Sequence, residues 1–331
     1  MKARRLALRA AGFLAGACLL VSGGCSGSST EPEQKPVDWK DLPVVPVLSG
    51  ELKERFHEDV AKADQRGMRA GVFAKVGDSN TEFRTALYGL ACRRARLPEG
   101  SGLRAVIRRY NRVKLPNQRA LPGCHPSTSF SRRSAAVRPA TVAGWSTTRP
   151  TKFADPGRFA DPGMPADCPL RGTPLECEIR KIRPRYALIL TGTNDVFVDR
   201  AFGLNPGADA GRRLERVVRA VRRRGVIPVL STLPPNTSFR GAPAAIDRSN
   251  QAIAETARRQ SVPLINLWRA LTGPGMVNDG LADDGVHLRS APRPRTFAGS
   301  VDFRPEALRY GANRRNLVWL QTLAALDEAA E

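Results

Sequence analysis

The chain has 331 residues, 41% of them hydrophobic, and a formal net charge of +22 at pH 7. Such a length can bury a full core, and one α/β domain of about 250 residues plus appendages is the expectation. The charge is nearly all arginine, spread along the sequence without a nucleic-acid recognition motif, so nucleic-acid binding is set aside. A basic surface of this kind still attracts anionic glycans or lipid headgroups.

Residues 1–24 read as a signal peptide. Lys2, Arg4, Arg5 and Arg9 form a charged start, Ala10 to Val21 an apolar core too short to cross a membrane and stay, and Ser22-Gly23-Gly24 a small-residue cleavage site before Cys25. A cysteine in that place resembles a bacterial lipobox. Ser22 stands where leucine is usual, and Cys18 after Ala15-Gly16-Ala17 is a second candidate. Cys25 is expected to carry a lipid that anchors an exported protein in the cell envelope, with Ser26 resembling lipoproteins sent to an outer membrane; ordinary cleavage would release it. Residues 25–47, rich in Ser, Pro and Glu and without a period, read as a flexible tether, and 48–331 as one domain with loop insertions near 92–127 and 146–184.

Within that domain Glu51 to Gln65 is expected to be a polar helix. Val72-Phe73-Ala74-Lys75-Val76 is a short apolar run that ends in the turn Gly77-Asp78-Ser79-Asn80-Thr81, after which apolar residues resume at helical spacing. The pattern is strand, turn, helix, with Thr85 to Arg96 continuing the helix. A residue at such a handover sits at the carboxyl edge of an open α/β sheet, where these folds bind ligands, so Ser79 is the candidate nucleophile. Ser79-x-x-Glu82 also fits a capping box, in which the serine would serve only the helix.

From Cys92 to Pro126 the chain is loop-rich and basic, with one short helix expected at Leu103 to Arg112. Cys92, Cys124, Cys168 and Cys177 are an even set in an exported chain, which implies disulfides. Of three connectivities, short spacing favours Cys92 with Cys124 and Cys168 with Cys177. A zinc site is the rival reading, and it lacks any C-x-x-C pair. Thr128 to Val137 has strand-like residues, and Ala143-Gly144-Trp145-Ser146 follows as a strand-to-helix transition. Ser146 to Pro184 reads as a Pro/Gly-rich loop with a tandem Phe-Ala-Asp-Pro-Gly beginning at Phe153 and Phe159, and long loops of this kind are often lids or binding surfaces.

Regular alternation then returns. Tyr186 to Leu190 is a buried strand ending at Gly192-Thr193-Asn194-Asp195. Leu214, Val217, Val218 and Val221 mark one helical face, and Val226 to Leu230 is the next strand. Ala244 to Gln260 is a helix, Val262 to Leu267 a short strand, and Glu306 to about Ala330 the closing helix. Strands alternating with helices imply a three-layer α/β/α sandwich with a mainly parallel, flavodoxin-like sheet.

Three short motifs occur in order: Gly77-Asp78-Ser79 after the first strand, Gly192-Thr193-Asn194-Asp195 after a later one, and Asp284-Gly285-Val286-His287 before the last helix. Together they resemble the SGNH/GDSL hydrolase family, from roughly Val72 to the end of the closing helix. The resemblance implies a catalytic triad of Ser79, His287 as general base and Asp284 to orient it. Oxyanion donors would come from the Ser79 N–H, the Asn194 side chain and the Gly144 N–H, the last by analogy with the family's glycine after the second strand; Gly123 is the other glycine that could serve. His57 lies upstream of the first strand and His125 in the insertion, which leaves His287 as the base.

Competing signatures are absent: the serine lacks the closing glycine of G-x-S-x-G, and there is no phosphate loop, H-E-x-x-H or dinucleotide fingerprint. The reading is therefore a serine esterase that cleaves acyl or acetyl esters through an acyl-enzyme, without metal or organic cofactor. Transfer of the acyl group to a sugar hydroxyl is a variant of the same chemistry. The expected partners are an ester substrate, which could be a small acyl ester, an acetylated glycan or a lipid, and a membrane through the N-terminal anchor; no obligate protein partner is evident. The alternative is an envelope lipoprotein that binds an anionic glycan with an idle triad, against which stands the joint presence of Ser79, Asn194, Asp284 and His287.

Overall fold

The computed structural model describes residues 38–82, 85–92, 95–116, 124–125, 127–149, 172–205, 207–292 and 300–331. The expected signal peptide, Cys25, the first part of the tether, Gly123, the tandem beginning at Phe153 and Cys168 lie outside the described residues.

Four strands lie side by side in chain order, all parallel: β1 (Arg69–Gly77), β2 (Pro184–Leu190), β3 (Ile227–Ser231) and β4 (Leu264–Ile265). β2 is buried along its whole length, as a central parallel strand covered on both faces must be. Gly77 pairs with Leu190 and Ser231 with Ile265, so the carboxyl ends of the strands form one edge of the sheet.

Helix α1 (Gly50–Gln65) precedes β1, while α2 (Leu103–Arg112) and α3 (Pro174–Ile182) fall between β1 and β2. Helices α4 (Thr193–Ala201) and α5 (Ala210–Arg223) link β2 to β3, α6 (Ala242–Arg259) links β3 to β4, and α7 (Leu267–Leu271) and α8 (Gly311–Ala329) close the chain. On α5 the face marked by Leu214, Val217, Val218 and Val221 is buried, as the spacing predicts. Tyr186 of β2 stacks on Phe56 of α1 with ring centroids 6.5 Å apart and donates its hydroxyl to the Leu326 carbonyl of α8 at 3.1 Å. Tyr110 of α2 donates to Asp327 of α8 at 3.0 Å, so α1, α2 and α8 are tied together over the sheet.

Several expectations change. The segment 128–137 is not a strand; only Val137 bridges β1, at Gly77. Side chains hold it instead: Ser129 Oγ accepts the Phe73 N–H at 3.0 Å, buried Arg132 makes a two-point ion pair with Glu178 of α3 at 2.8 and 3.0 Å, and the Ala135 N–H donates to the same carboxylate at 3.0 Å. No continuous helix follows Ser79. One 3-10 turn covers Ser79–Thr81 and another Tyr88–Ala91, and Leu87 between them has φ 67°, a left-handed conformation no α-helix passes through.

The stretch expected to be loop up to Pro184 contains α3. Its start has a full capping box, with the Glu176 N–H on Thr173 Oγ1 at 3.2 Å and the Thr173 N–H on Glu176 Oε2 at 3.0 Å, and Pro174 in the first turn. The last strand shrinks to Leu264–Ile265, and the closing helix begins at Gly311. The packed domain also starts before residue 48. Trp39 is buried and meets Trp268 edge to face at 4.9 Å, while Asn266 Nδ2 donates to the carbonyls of Trp39 at 2.8 Å and Leu42 at 3.1 Å.

Cys92 and Cys124 form a disulfide across 32 residues of the insertion, which in a chain-entropy treatment contributes about 3–4 kcal/mol. Cys177, buried in α3, is also disulfide-bonded. Among the described residues, no helix is long and apolar enough to cross a membrane.

Candidate active site

β1 ends at Gly77 and the chain turns at once into Ser79–Thr81. Gly77 is required by close approach: a Cβ there would lie 2.1 Å from the Leu190 carbonyl oxygen and 2.2 Å from Thr81 Oγ1. That contact lets Thr81 donate its hydroxyl to the Leu190 carbonyl at 2.8 Å, fixing the serine turn to the end of β2. The capping role that the sequence allowed for Ser79 falls to its neighbour, since Asp78 Oδ1 accepts the Asn80 N–H at 3.0 Å. Ser79 is left half-buried at the sheet edge, its hydroxyl without a hydrogen-bond partner among the described residues.

Asp78 is fully buried, and burial pushes its carboxyl up to about 6, reinforced by the nearby Asp195; the Asn80 N–H and the N–H groups of Thr193 and Gly192 pull the other way. Its second oxygen closes no hydrogen bond, so the Thr193 and Gly192 dipoles act on it from a distance. From pH about 4 to 6 the folded chain keeps a proton that the unfolded chain releases, so Asp78 makes stability fall as pH rises through that window. Asp78→Asn keeps an acceptor for Asn80 and cannot titrate. Its melting temperature is expected to fall less between pH 4 and 6 than that of the parent, with the remaining slope coming from Asp327, which burial also raises to about 6, and from Asp195, whose carboxyl burial raises too. Identical slopes in parent and variant would remove Asp78 from this role.

The histidine motif sits at the tip of a short hairpin. Leu281 and Leu288 bridge antiparallel, and the Ala282 N–H donates to the His287 carbonyl at 2.8 Å. Gly285, at φ 68°, lies so close to Thr237 that a Cβ would meet its hydroxyl at 2.6 Å. Asp284 turns back on the loop: its Oδ1 accepts the N–H groups of Val286 and His287, both at 2.9 Å, and its Oδ2 lies 2.6 Å from His287 Nδ1. Partial burial would raise the Asp284 carboxyl, but the His287 N–H, the His287 ring and the Val286 N–H outweigh it and hold the carboxyl down at about 2. An ionised carboxylate can only accept, so Nδ1 carries the proton and Nε2 is the free base. Asp283 points elsewhere, to an ion pair with Arg289, and its side chain is 92% exposed.

What joins the two motifs is a residue that sequence reasoning did not single out. The buried side chain of Asn80 donates from Nδ2 to the Val286 carbonyl at 3.2 Å and accepts the Leu288 N–H on Oδ1 at 3.1 Å. It thus clamps both neighbours of His287 while sitting directly after Ser79. Its own carbonyl accepts from Arg315, a fully buried guanidinium of α8 whose pKa burial lowers to about 9. Every polar group of Asn80 is therefore used. No pattern in the chain signals this, because the partners lie some two hundred residues away.

Among the described residues the Ser79 hydroxyl and the His287 ring share no hydrogen bond, the loose arrangement common before substrate binds. If Asn80 sets their approach, Asn80→Leu and Asn80→Asp, which each lose the donor to Val286, should lower kcat by about 10- to 100-fold with KM little changed. A raised KM with kcat intact would show that Asn80 does not position these groups.

Asn194 and Asp195 lie in the first turn of α4. Asn194 Nδ2 donates to the Thr141 carbonyl at 3.0 Å, which orients the amide and leaves its second hydrogen free. Asp195 accepts the Ala143 N–H at 2.8 Å and is paired with Arg213 at 2.5 Å, so this turn holds the 141–143 segment in place. Burial raises the Asp195 carboxyl, while the Ala143 N–H and Arg213 draw it back. Gly144 follows directly, buried, at φ −76°, with its face toward Arg216 of α5 and its carbonyl accepting from Thr147 and Thr148. No hydrogen bond joins it to Ser79.

Among solved structures, the chain is similar to an acetyl esterase at 16% identity, covering 76% of this chain and 97% of that one with a TM-score of 0.42. It is also similar to a lipase/acylhydrolase from Enterococcus faecalis (17% identity, 58% and 74% covered, TM-score 0.35) and to the acetylxylan esterase Axe2 from Geobacillus stearothermophilus (13%, 76% and 93%, 0.37). These likenesses are too low to carry a substrate across. No curated protein matches the chain. The model of the GDSL-like lipase/acylhydrolase family matches residues 76–291, a span that opens just before the serine turn and closes just after the histidine hairpin. The chain belongs to that family and is an ester hydrolase of the GDSL type.

Proposed function

We propose that the protein is a serine esterase that cleaves acyl or acetyl esters through an acyl-enzyme formed on Ser79. The observation that carries this reading is the Asp284–His287 pair, 2.6 Å apart and clamped by Asn80 to the turn that bears Ser79. As Ser79 Oγ bonds to the ester carbonyl carbon, its proton passes to His287 Nε2, and Asp284 stabilises the imidazolium. The oxyanion is met by the Ser79 N–H, the free hydrogen of Asn194 Nδ2 and a backbone N–H of the segment ending at Gly144, which the sequence reading assigns to Gly144. His287 then returns the proton to the departing alkoxide. Water then gives a proton to the same nitrogen as its oxygen bonds to the acyl carbon, and His287 passes that proton to Ser79 Oγ as the acyl–Oγ bond breaks, releasing the acid and restoring Ser79. The substrates are small acyl esters or acetylated glycans, and the protein is exported and held to the envelope by a lipid on Cys25.

The test is a panel of p-nitrophenyl esters from acetate to decanoate, with acetylated xylan, given to the form that begins after Cys25. Turnover of the short esters, falling as the chain lengthens, is expected. Failure to hydrolyse any member of the panel would overturn the reading.

A further inference from the structure

Away from the catalytic turns, a cavity of about 580 Å³ opens beside α2. Its floor is mostly aliphatic, made by Leu90, Ala95, Leu97 and Ile107 with Cys92, Asn111 and His125 beside them, and its rim is cationic, made by Arg104, Arg108, Arg112 and Lys114. The three arginines stand four residues apart, so they form a row on one face of the helix with about 6 Å between successive members. All four cations are exposed, and none has an ion-pair or hydrogen-bond partner among the described residues. Elsewhere on the same helix Arg109 is paired with Glu331 at 2.8 Å and Asp327 at 3.5 Å. Helix electrostatics favour Arg112 in the last turn but not Arg104, which lies in the first turn, where positive charge opposes the helix dipole.

We infer that this cavity binds an anionic amphiphile, a single aliphatic chain ending in a carboxylate or phosphate, with the chain on the aliphatic floor and the head on the arginine row. Guanidinium groups match both heads by paired hydrogen bonds. The volume lies in the range of small-molecule sites. An acidic oligosaccharide shares the charge, and Asn111 and His125 could meet a hydroxyl or two, but it would press its others against four aliphatic side chains that offer them no partner. The site uses none of the residues assigned to catalysis, so the inference stands or falls separately from the serine assignment.

Titration calorimetry of the purified protein with laurate, dodecyl phosphate, dodecyl maltoside, acetate and an oligoalginate, all below micelle-forming concentration, tests it. One equivalent of laurate or dodecyl phosphate is expected to bind, and the tighter of the two identifies the head as carboxylate or phosphate. From octanoate to laurate, affinity should rise with each methylene, by at most about 4-fold. The surface variant Arg104→Gln/Arg108→Gln/Arg112→Gln should bind at least about 10-fold more weakly, with its melting temperature and short-ester hydrolysis unchanged. The inference is overturned if the maltoside, acetate or the oligoalginate binds as tightly as laurate. Unchanged laurate affinity in the triple variant overturns it too, since that would place binding elsewhere, the esterase site included.

Discussion

Ser79→Ala is expected to lower kcat on a short p-nitrophenyl ester by at least about 10³-fold while the far-ultraviolet circular dichroism and melting temperature stay those of the parent. The expected size follows from the covalent step: without the hydroxyl no acyl-enzyme forms, and only oxyanion donors and binding remain. The fold should be indifferent because Ser79 supports nothing structurally. The turn is capped by Asp78, tied to β2 by Thr81 and braced from α8 by Arg315, and the serine hydroxyl has no partner among the described residues. A large loss of stability in the variant would mean that the hydroxyl is a cap after all. Undiminished turnover would mean that another residue attacks the ester.

Asp284→Asn is expected to lower kcat by about 10²- to 10⁴-fold, and Asp283→Asn by less than about threefold. The two carboxylates are adjacent in sequence and opposite in role. Asp284 accepts two backbone N–H groups and lies 2.6 Å from His287 Nδ1, whereas Asp283 faces solvent and Arg289. An asparagine at 284 can present an N–H to Nδ1, favouring the tautomer in which Nε2 holds the proton and cannot take one from Ser79. Because the Asp284 carboxyl is held down at about 2, it is ionised throughout the working range and does not itself titrate there. Equal effects of the two substitutions would mean that His287 is oriented by something other than Asp284.

The reactive turns were legible because each is a local pattern. A buried strand must stop somewhere, and Gly77-Asp78-Ser79 and Gly192-Thr193-Asn194-Asp195 mark the stops; D-x-x-H returns an imidazole to its own carboxylate within one loop. Helix α2 was legible for the same reason, since its apolar and basic stripes repeat at helical spacing. Reading failed where distant residues override local preference. The helix expected after Ser79 gives way to two short turns, because Arg315 takes the carbonyls of Asn80 and Thr85 and Leu87 adopts a left-handed conformation. The segment 128–137 looked like a strand, yet it is held by the Arg132–Glu178 pair and Ser129 instead of a ladder.

Helix α3 carried its own signal, Thr173-Pro174-Leu175-Glu176, a capping box with proline at the first position, and the surrounding Pro/Gly-rich composition hid it. Composition also misplaced the start of the domain, where Trp39 and Leu42 dock on Asn266. Asn80 had no signal at all, since its meaning lies in Val286 and Leu288, which only the fold brings to it.

The central claim is that Ser79 is the nucleophile activated by His287. A fluorophosphonate reacts with an activated serine and stays attached, so peptide mass spectrometry of the labelled protein reads the claim directly. One label per chain on the peptide containing Ser79, absent from His287→Ala, is the predicted result. Label on any other serine, or equal labelling of Ser79 without His287, would contradict it.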